Sequence, residues 1–202
     1  MPTARPFPGA SVALAALSLL LGSVPAAGAD AQGQFAIKGV GLLTCEQSVQ
    51  ARESQSALDA AFRGWIQGFV TGVNRYQDGT YDAAPWGTPE ILATIVYNHC
   101  RENPQERFVE AVQKLVATLQ KDRLSKSSPL LTVDVDGRRT LLYQEMLKRV
   151  QERLADQGLY LGTADGVFGP RTQEAIAMYQ ISEGLEGTGV PDPLTVWKLV
   201  QP

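Results

Sequence analysis

Histidine is almost missing from this chain: His99 is its only one. A zinc site built on several histidines is therefore excluded, and Ser-His-Asp or Cys-His catalysis would have to run through His99 alone. Cysteine is nearly as scarce, with Cys45 and Cys100 the two present. His99 adjoins Cys100, but neighbours on a helix point about 100° apart and do not face each other, so His99 is poorly placed to activate that thiol. Basic charge is in short supply too. The 18 Lys and Arg are outnumbered by 21 Asp and Glu, and no basic stripe offers a surface for nucleic acid or anionic lipid. Long apolar runs are also lacking: the stretch SVALAALSLLLG is about twelve residues, whereas a span needs about 20. Counting does not exclude a carboxylate pair of the glycosidase kind. Glu90, Glu106 and Glu110 are the candidates, but they fall at helix starts or exposed helix positions, where solvation or the helix dipole accounts for them. The expectation is a protein that is not an enzyme, with no metal and no cofactor.

What is present begins with an export signal. Arg5 precedes the apolar stretch, and VPAAGAD follows it, with Ala27 and Ala29 at the −3 and −1 positions of a cut before Asp30. No cysteine sits just after the apolar stretch to carry a lipid. Residues 1–29 are thus expected to be a signal peptide and the protein periplasmic or secreted. Two cysteines in an oxidising compartment are expected to pair. A Cys45–Cys100 disulfide closes a loop of roughly 56 residues, worth about 4 kcal/mol in the chain-entropy model.

Residues 30–122 read as a helical domain. Ser56, with Asp59 three residues on, suggests a helix start related to the capping box. Leu58, Phe62, Trp65, Ile66, Phe69, Val70 and Val73 then form one apolar stripe at helical spacing. Beside it lie Gly64, Gly68 and Gly72, a ridge without side chains. Each glycine costs about 0.8–1 kcal/mol against alanine in a helix, so a neighbouring helix packed on the ridge is expected to compensate. Thr88-Pro89 starts a second helix with Ile91, Leu92, Ile95, Val96 and Cys100 on its buried side. Asn103-Pro104 starts a third, with Glu106 at N3 and Phe108, Val109, Val112, Leu115, Val116 and Leu119 in the core. The loop NRYQDGTYDAAPWG between the first two helices holds Tyr76, Tyr81 and Trp86. These could meet a protein or a glycan, or Trp86 and one tyrosine could fold back to cap the bundle.

Residues 123–140 read as a linker, mostly extended. Leu131, Val133 and Val135 alternate before Asp136-Gly137, so a short hairpin is the other possibility. Residues 141–202 form a last domain. Leu147, Val150 and Leu154 make a helical stripe, and Gly158 supplies a left-handed stop. Gly169-Pro170 starts the next helix, along which Ile176, Tyr179 and Gln180 step until Gly184. Pro193 opens a third, with Leu194, Trp197 and Leu199 facing inward. Phe168 is expected to anchor the glycine-rich loop between the first two.

That last stretch resembles, nearly position by position, the three-helix peptidoglycan-binding domain of bacterial cell-wall proteins. The matching residues run in register: Val150-Gln151, Leu154, Gly158-Leu159-Tyr160, Asp165-Gly166, Phe168-Gly169, Thr172, Ala175-Ile176, Tyr179-Gln180, Gly184-Leu185, Thr188-Gly189-Val190, Asp192, Thr195 and Leu199. The resemblance implies a murein-binding module. Its expected contacts are Tyr160, Asp165, Arg171, Thr172 and Tyr179, with Tyr160, the loop Leu161–Phe168 and the helix start Pro170–Thr172 bordering one shallow groove. Asp165 reads first as a turn residue bonding its own loop backbone and only second as a ligand contact. The middle domain is more loosely similar to immunity proteins that neutralise type VI secretion amidase toxins and to periplasmic acid-stress chaperones. The likeness rests on Gly64-Trp65 and Gly68 between two distant cysteines, followed by a proline-initiated helix. It implies a protein partner, a cell-wall hydrolase in the immunity case. The fold class expected is all-α, a small disulfide-linked helical bundle followed by the three-helix peptidoglycan-binding domain.

Overall fold

The computed structural model describes Asp30 and residues 32–200, so Arg5, the apolar stretch and the Ala27–Ala29 cleavage site lie outside the described residues. Residues up to Gln34 form a unit of their own. Its described part is a turn in which Asp30 Oδ1 accepts the amides of Gln32 and Gln34 at 3.0 and 2.8 Å.

From Phe35 the chain builds its core. Thr44 opens helix α1 (Cys45–Glu53) with a complete capping box: its hydroxyl accepts the Gln47 amide at 3.3 Å, and Gln47 Oε1 accepts the Thr44 amide at 3.0 Å. Periodicity gives no hint of this helix, because only Cys45, Ser48 and Ala51 on it are buried. Helix α2 (Ala57–Tyr76) buries Phe62, Ile66 and Val70. Ser56 does stand at its N-cap, but the hydroxyl donates back to Ala51 O at 3.2 Å, and Asp59 pairs with Arg63 at 3.1 Å, so no capping box forms there.

The glycine ridge corrects an expectation. Gly64 and Gly68 are exposed, and a Cβ placed on Gly64, Gly68 or Gly72 would meet nothing within 4 Å. The helices that pack on α2 use the opposite stripe, where the large side chains give far more apolar contact than a bare backbone would. Leu58, at the start of the stripe, is likewise 40% exposed.

Helix α3 (Pro89–Glu102) begins as expected, with Thr88 Oγ1 accepting the Ile91 amide at 3.3 Å. Helix α4 (Phe108–Leu119) begins later than Asn103-Pro104 suggests. The intervening backbone is held by the segment before α1: Cys45 N donates to Glu106 O and Phe108 N to Leu43 O, both at 2.8 Å. The Cys45–Cys100 disulfide is present and ties the start of α1 to the end of α3.

The segment expected as an extended linker instead enters a hairpin, so the fold is not all-α. Strands β1 (Leu130–Val135) and β2 (Arg138–Tyr143) pair antiparallel, from Leu130 opposite Tyr143 to Val135 opposite Arg138. Asp136 and Gly137, at φ of +52° and +81°, make the two-residue turn that suits strand twist. The alternation ahead of Asp-Gly outweighs the polar flanks because Val133 and Val135 bury themselves against Val190 and Phe168. Helices α5 (Gln144–Asp156), α6 (Pro170–Ser182) and α7 (Pro193–Val200) follow. Gly158 and Gly184 end the first two at φ of +72° and +71°. Leu147, Val150, Leu154, Ile176 and Leu199 are core as expected, but Leu194 faces outward at 42% exposure.

The aromatic loop after α2 turns inward onto this C-terminal part. Trp86 is buried with its ring 6.4 Å from that of Trp197, and Tyr81 lies edge-on to Tyr143 at 6.0 Å. Tyr81 N donates to Leu124 O at 2.7 Å and Leu124 N to Asp82 O at 2.8 Å. One apolar core runs through both parts. Among the described residues no helix is long and apolar enough to cross a membrane.

Candidate functional site

Two buried glutamines organise the C-terminal helices. Gln151, on α5 and fully buried, accepts the Gly166 amide at 2.8 Å and donates to Val167 O and Thr172 Oγ1, each at 3.0 Å. Gln180, on α6, repeats the arrangement: it accepts the Gly189 amide at 2.8 Å and donates to Val190 O at 2.9 Å and Thr195 Oγ1 at 3.0 Å. Both loop glycines have positive φ, +73° and +70°. Any Cβ there would also press on backbone oxygen, Gln144 O at 2.7 Å in one case and Gln173 O at 2.8 Å in the other. The device is written twice in the sequence, as Gly166-Val167-x-x-Pro170-x-Thr172 and Gly189-Val190-x-x-Pro193-x-Thr195. This internal repeat is the signal that identifies Gln151 and Gln180 as loop clamps.

The clamps decide where the expected contacts lie. Thr172 is 1% exposed and spends its hydroxyl on Gln151. Tyr160 is buried, with its hydroxyl donating to Thr163 O at 3.0 Å and receiving Gln151 Nε2 at 3.3 Å. With a satisfied hydroxyl the ring packs inside as any aromatic would. Tyr179 is buried too, and burial, then the charge of Glu183, pushes its phenol up. Gln180 is consumed by its loop. Asp165 reaches solvent, and its Oδ1 accepts the Val167 amide at 2.9 Å, the turn role. Arg171 is exposed. Tyr160 and Thr172, expected to border the groove, therefore turn inward, while Asp165 and Arg171 reach the surface.

Two surface depressions lie along the outer side of α5. One, about 520 Å³, is lined by Lys126, Ser128, Gln144, Lys148, Arg149 and Asp165 among others. A second, about 370 Å³, is lined by Lys121, Asp122, Arg149, Glu152, Arg153 and Asp156, with Val200. Arg149 belongs to both. Its Nη1 donates to Asp122 O at 2.7 Å, and its Nε lies 3.6 Å from Glu145. Asp122 is 9% exposed, and its Oδ2 is buried without a hydrogen-bond partner. Burial pushes its carboxyl up, against the opposing pull of Lys121, Arg149 and Arg153.

In the disulfide-bonded part, Tyr76 is 65% and Tyr81 42% exposed, whereas Trp86 is 3% exposed and not available to a partner. Next to these, burial and then Asp82 and Tyr81 push the Tyr143 phenol up to about 12. Glu106 accepts from Lys114 at 2.9 Å and lies 2.8 Å from His99 Nε2. Burial works to raise its carboxyl, but those two neighbours hold it below the usual carboxylate range. Glu110 accepts Arg107 Nε at 2.9 Å, and Glu90 is exposed in the first turn of α3. Among the described residues no three His, Cys, Asp or Glu side chains gather as metal ligands.

Comparison with known proteins places a family on the C-terminal third. Residues 143–199 match the family described as a putative peptidoglycan binding domain. The chain is 40% identical over 58 residues to the N-acetylmuramoyl-L-alanine amidase CwlM of Mycobacterium tuberculosis, covering 29% of this chain and 14% of that protein. It is 49% identical over 51 residues to the putative OxPP cycle protein OpcA of Synechococcus elongatus, covering 25% and 12%. It is 36% identical over 76 residues to an uncharacterized protein in the bpoA1 3′ region of Kitasatospora aureofaciens, covering 37% and 58%. The chain thus spans less than two thirds of the length of each of these relatives. No solved structure matches. The C-terminal helices carry a peptidoglycan-binding domain.

Proposed function

We propose that this protein is an exported, non-catalytic wall-binding protein that sits on peptidoglycan through α5–α7 while its disulfide-bonded helices engage a protein partner. The observation that carries the reading is the peptidoglycan-binding domain at residues 143–199. The disulfide supports a location outside the cytoplasm, where such bonds persist. The engagement of acidic groups elsewhere supports a binding role: Glu106 and Glu110 are held by cations, and His99 is held by Glu106. The test is co-sedimentation of the full chain with purified sacculi, with a parallel spin without sacculi. Pelleting only with sacculi, and release by soluble muropeptides, is the expected result. A chain that stays in the supernatant overturns the reading.

A second reading is favoured by the open glycine ridge of α2. Three helix glycines cost about 2–3 kcal/mol together, and among the described residues nothing lies within 4 Å of a Cβ placed on any of them. In this reading the bundle is an inhibitor of a cell-wall hydrolase, of the immunity type, and the C-terminal domain is its tether. Inhibition of a murein amidase by the purified protein in a turbidity assay, lost on Gly68→Leu, is its test. Unchanged hydrolysis with a panel of amidases removes it.

A further inference from the structure

Both depressions along α5 have an unusual lining for a wall-binding protein. Neither contains an aromatic ring, so the flat apolar face on which sugars stack is missing from both. Both contain charges of each sign. The first has Lys126, Lys148 and Arg149 beside Glu145 and Asp165, and the second has Lys121, Arg149 and Arg153 beside Asp122, Glu152 and Asp156. A neutral glycan brings hydrogen bonds to such a surface but no charge to match it. A short peptide with free carboxylates and a free amine, as in the stems of peptidoglycan, matches it.

Asp122 supplies the independent observation. The residue is nine-tenths buried, lines the second depression, and leaves Oδ2 without a partner among the described residues. Lys121, Arg149 and Arg153 act on the carboxyl through space without hydrogen-bonding Oδ2, and Arg149 instead gives Nη1 to the backbone oxygen of Asp122 and Nη2 to that of Arg123. An unpaired buried carboxylate is a standing penalty unless it takes up a proton or a cation meets it. A ligand ammonium is a cation of the right size, and Arg149 stands where the two depressions meet.

We propose that the two depressions form one groove for the peptide part of peptidoglycan, with Asp122 receiving a ligand ammonium and Lys126 and Lys148 a ligand carboxylate. The inference rests on the wall-binding reading and makes it specific. One wall of the groove, residues 121–129, lies outside the family match at 143–199. The segment ahead of the domain therefore sets its ligand preference, and Arg149 positions that segment through its two backbone contacts.

The experiment is titration calorimetry on the full chain with four probes, run beside sacculus co-sedimentation. The probes are the tripeptide L-alanyl-γ-D-glutamyl-L-lysine, its amine-acetylated form, its carboxyl-amidated form, and a tetramer of N-acetylglucosamine. The free tripeptide is expected to bind, each blocked form about tenfold or more weaker, and the sugar tetramer not at all. Asp122→Asn is expected to lower affinity for the free tripeptide by about tenfold and to erase the difference between free and acetylated amine. Lys126→Ala with Lys148→Ala, at exposed and half-exposed positions, is expected to erase the difference between free and amidated carboxyls, and carries the test should Asp122→Asn fail to fold. Sacculus binding together with binding of the sugar tetramer but not the tripeptide overturns this inference and leaves the wall-binding reading standing. So does tripeptide affinity unchanged in folded variants. Failure to bind sacculi overturns both.

Discussion

The rings of Trp86 and Trp197 lie 6.4 Å apart, one from the loop after α2 and one from the last helix. Residues 111 positions apart in the chain thus meet across the seam between the disulfide-bonded helices and the peptidoglycan-binding domain. Trp86 is nearly without exposure. Its replacement by alanine is expected to cost about 3–5 kcal/mol and to lower the melting of both parts together, read by urea unfolding followed at Cys45–Cys100 peptides and at α5 by hydrogen exchange. Independent melting of the two parts would show that the seam carries no stability.

Gln151 and Gln180 are expected to matter more than any surface residue of the domain. Gln151→Leu leaves the buried Gly166 amide without its partner and takes one hydrogen bond each from the Val167 carbonyl and Thr172 hydroxyl, which keep a 3.5 Å contact with each other, and a buried group so stranded costs about 1–3 kcal/mol. Loss of amide protection at Gly166, and at Gly189 for Gln180→Leu, is the expected exchange signature. Retained protection would mean that the loops hold themselves.

Reduction of Cys45–Cys100 removes the tie between α1 and α3. The expected loss is about 2–5 kcal/mol, measured as a drop in denaturant midpoint on adding reductant. Peptide mapping without reductant should join the two cysteine peptides, and free thiols in protein kept under oxidising conditions would contradict the pairing.

Glu106 and Asp122 are expected to shift stability with pH in opposite senses. Glu106, held below its unfolded value after burial is offset by Lys114 and His99, contributes stability that is present above the ordinary carboxylate range and lost as pH falls through its folded value. Asp122, pushed up by burial, is favoured when protonated, so its charge is a liability that appears as pH rises through its folded value. Glu106→Gln should therefore lower the melting temperature at neutral pH, and Asp122→Asn should raise it. Both differences should shrink in acid, and melting curves across pH check the sign.

The exposed ridge of α2 gives the simplest case. Gly68 has no positive φ and open space around it, so Gly68→Ala is expected to stabilise the protein by about 0.5–1 kcal/mol through helix propensity and a less mobile unfolded chain. A destabilised variant would mean that something covers the ridge.

The helices were legible where a stripe of large apolar residues met a start or stop residue, as at Thr88-Pro89, Gly158 and Gly169-Pro170. Helix α1 was not, since its burial is confined to small residues and a cysteine and its start depends on a side-chain exchange between Thr44 and Gln47. The start of α4 was misplaced because Glu106 O and Phe108 N are claimed by residues sixty positions earlier, which local patterns do not register. The hairpin was visible in Leu131, Val133, Val135 and Asp136-Gly137, and the polar residues around it argued the other way. The candidate site was the least legible. Tyr160, Thr172 and Tyr179 have polar tips that suit a binding surface, and only the positions of Gln151 and Gln180 reveal that the fold uses Tyr160 and Thr172 internally. The groove along α5 depends on Asp122 and Lys126 meeting Arg149 and Lys148 in space, a neighbourhood with no signature in spacing.

The contacts of Tyr81, Trp86 and Leu124 with the hairpin and last helix carry a mechanical implication. A swivel at residues 123–140 would let the bundle sweep a volume around its attachment point. With that segment folded into the seam, the protein instead acts as a bracket. With the helical bundle and α5–α7 sharing one apolar core, α2 keeps a fixed bearing relative to the peptidoglycan-binding domain.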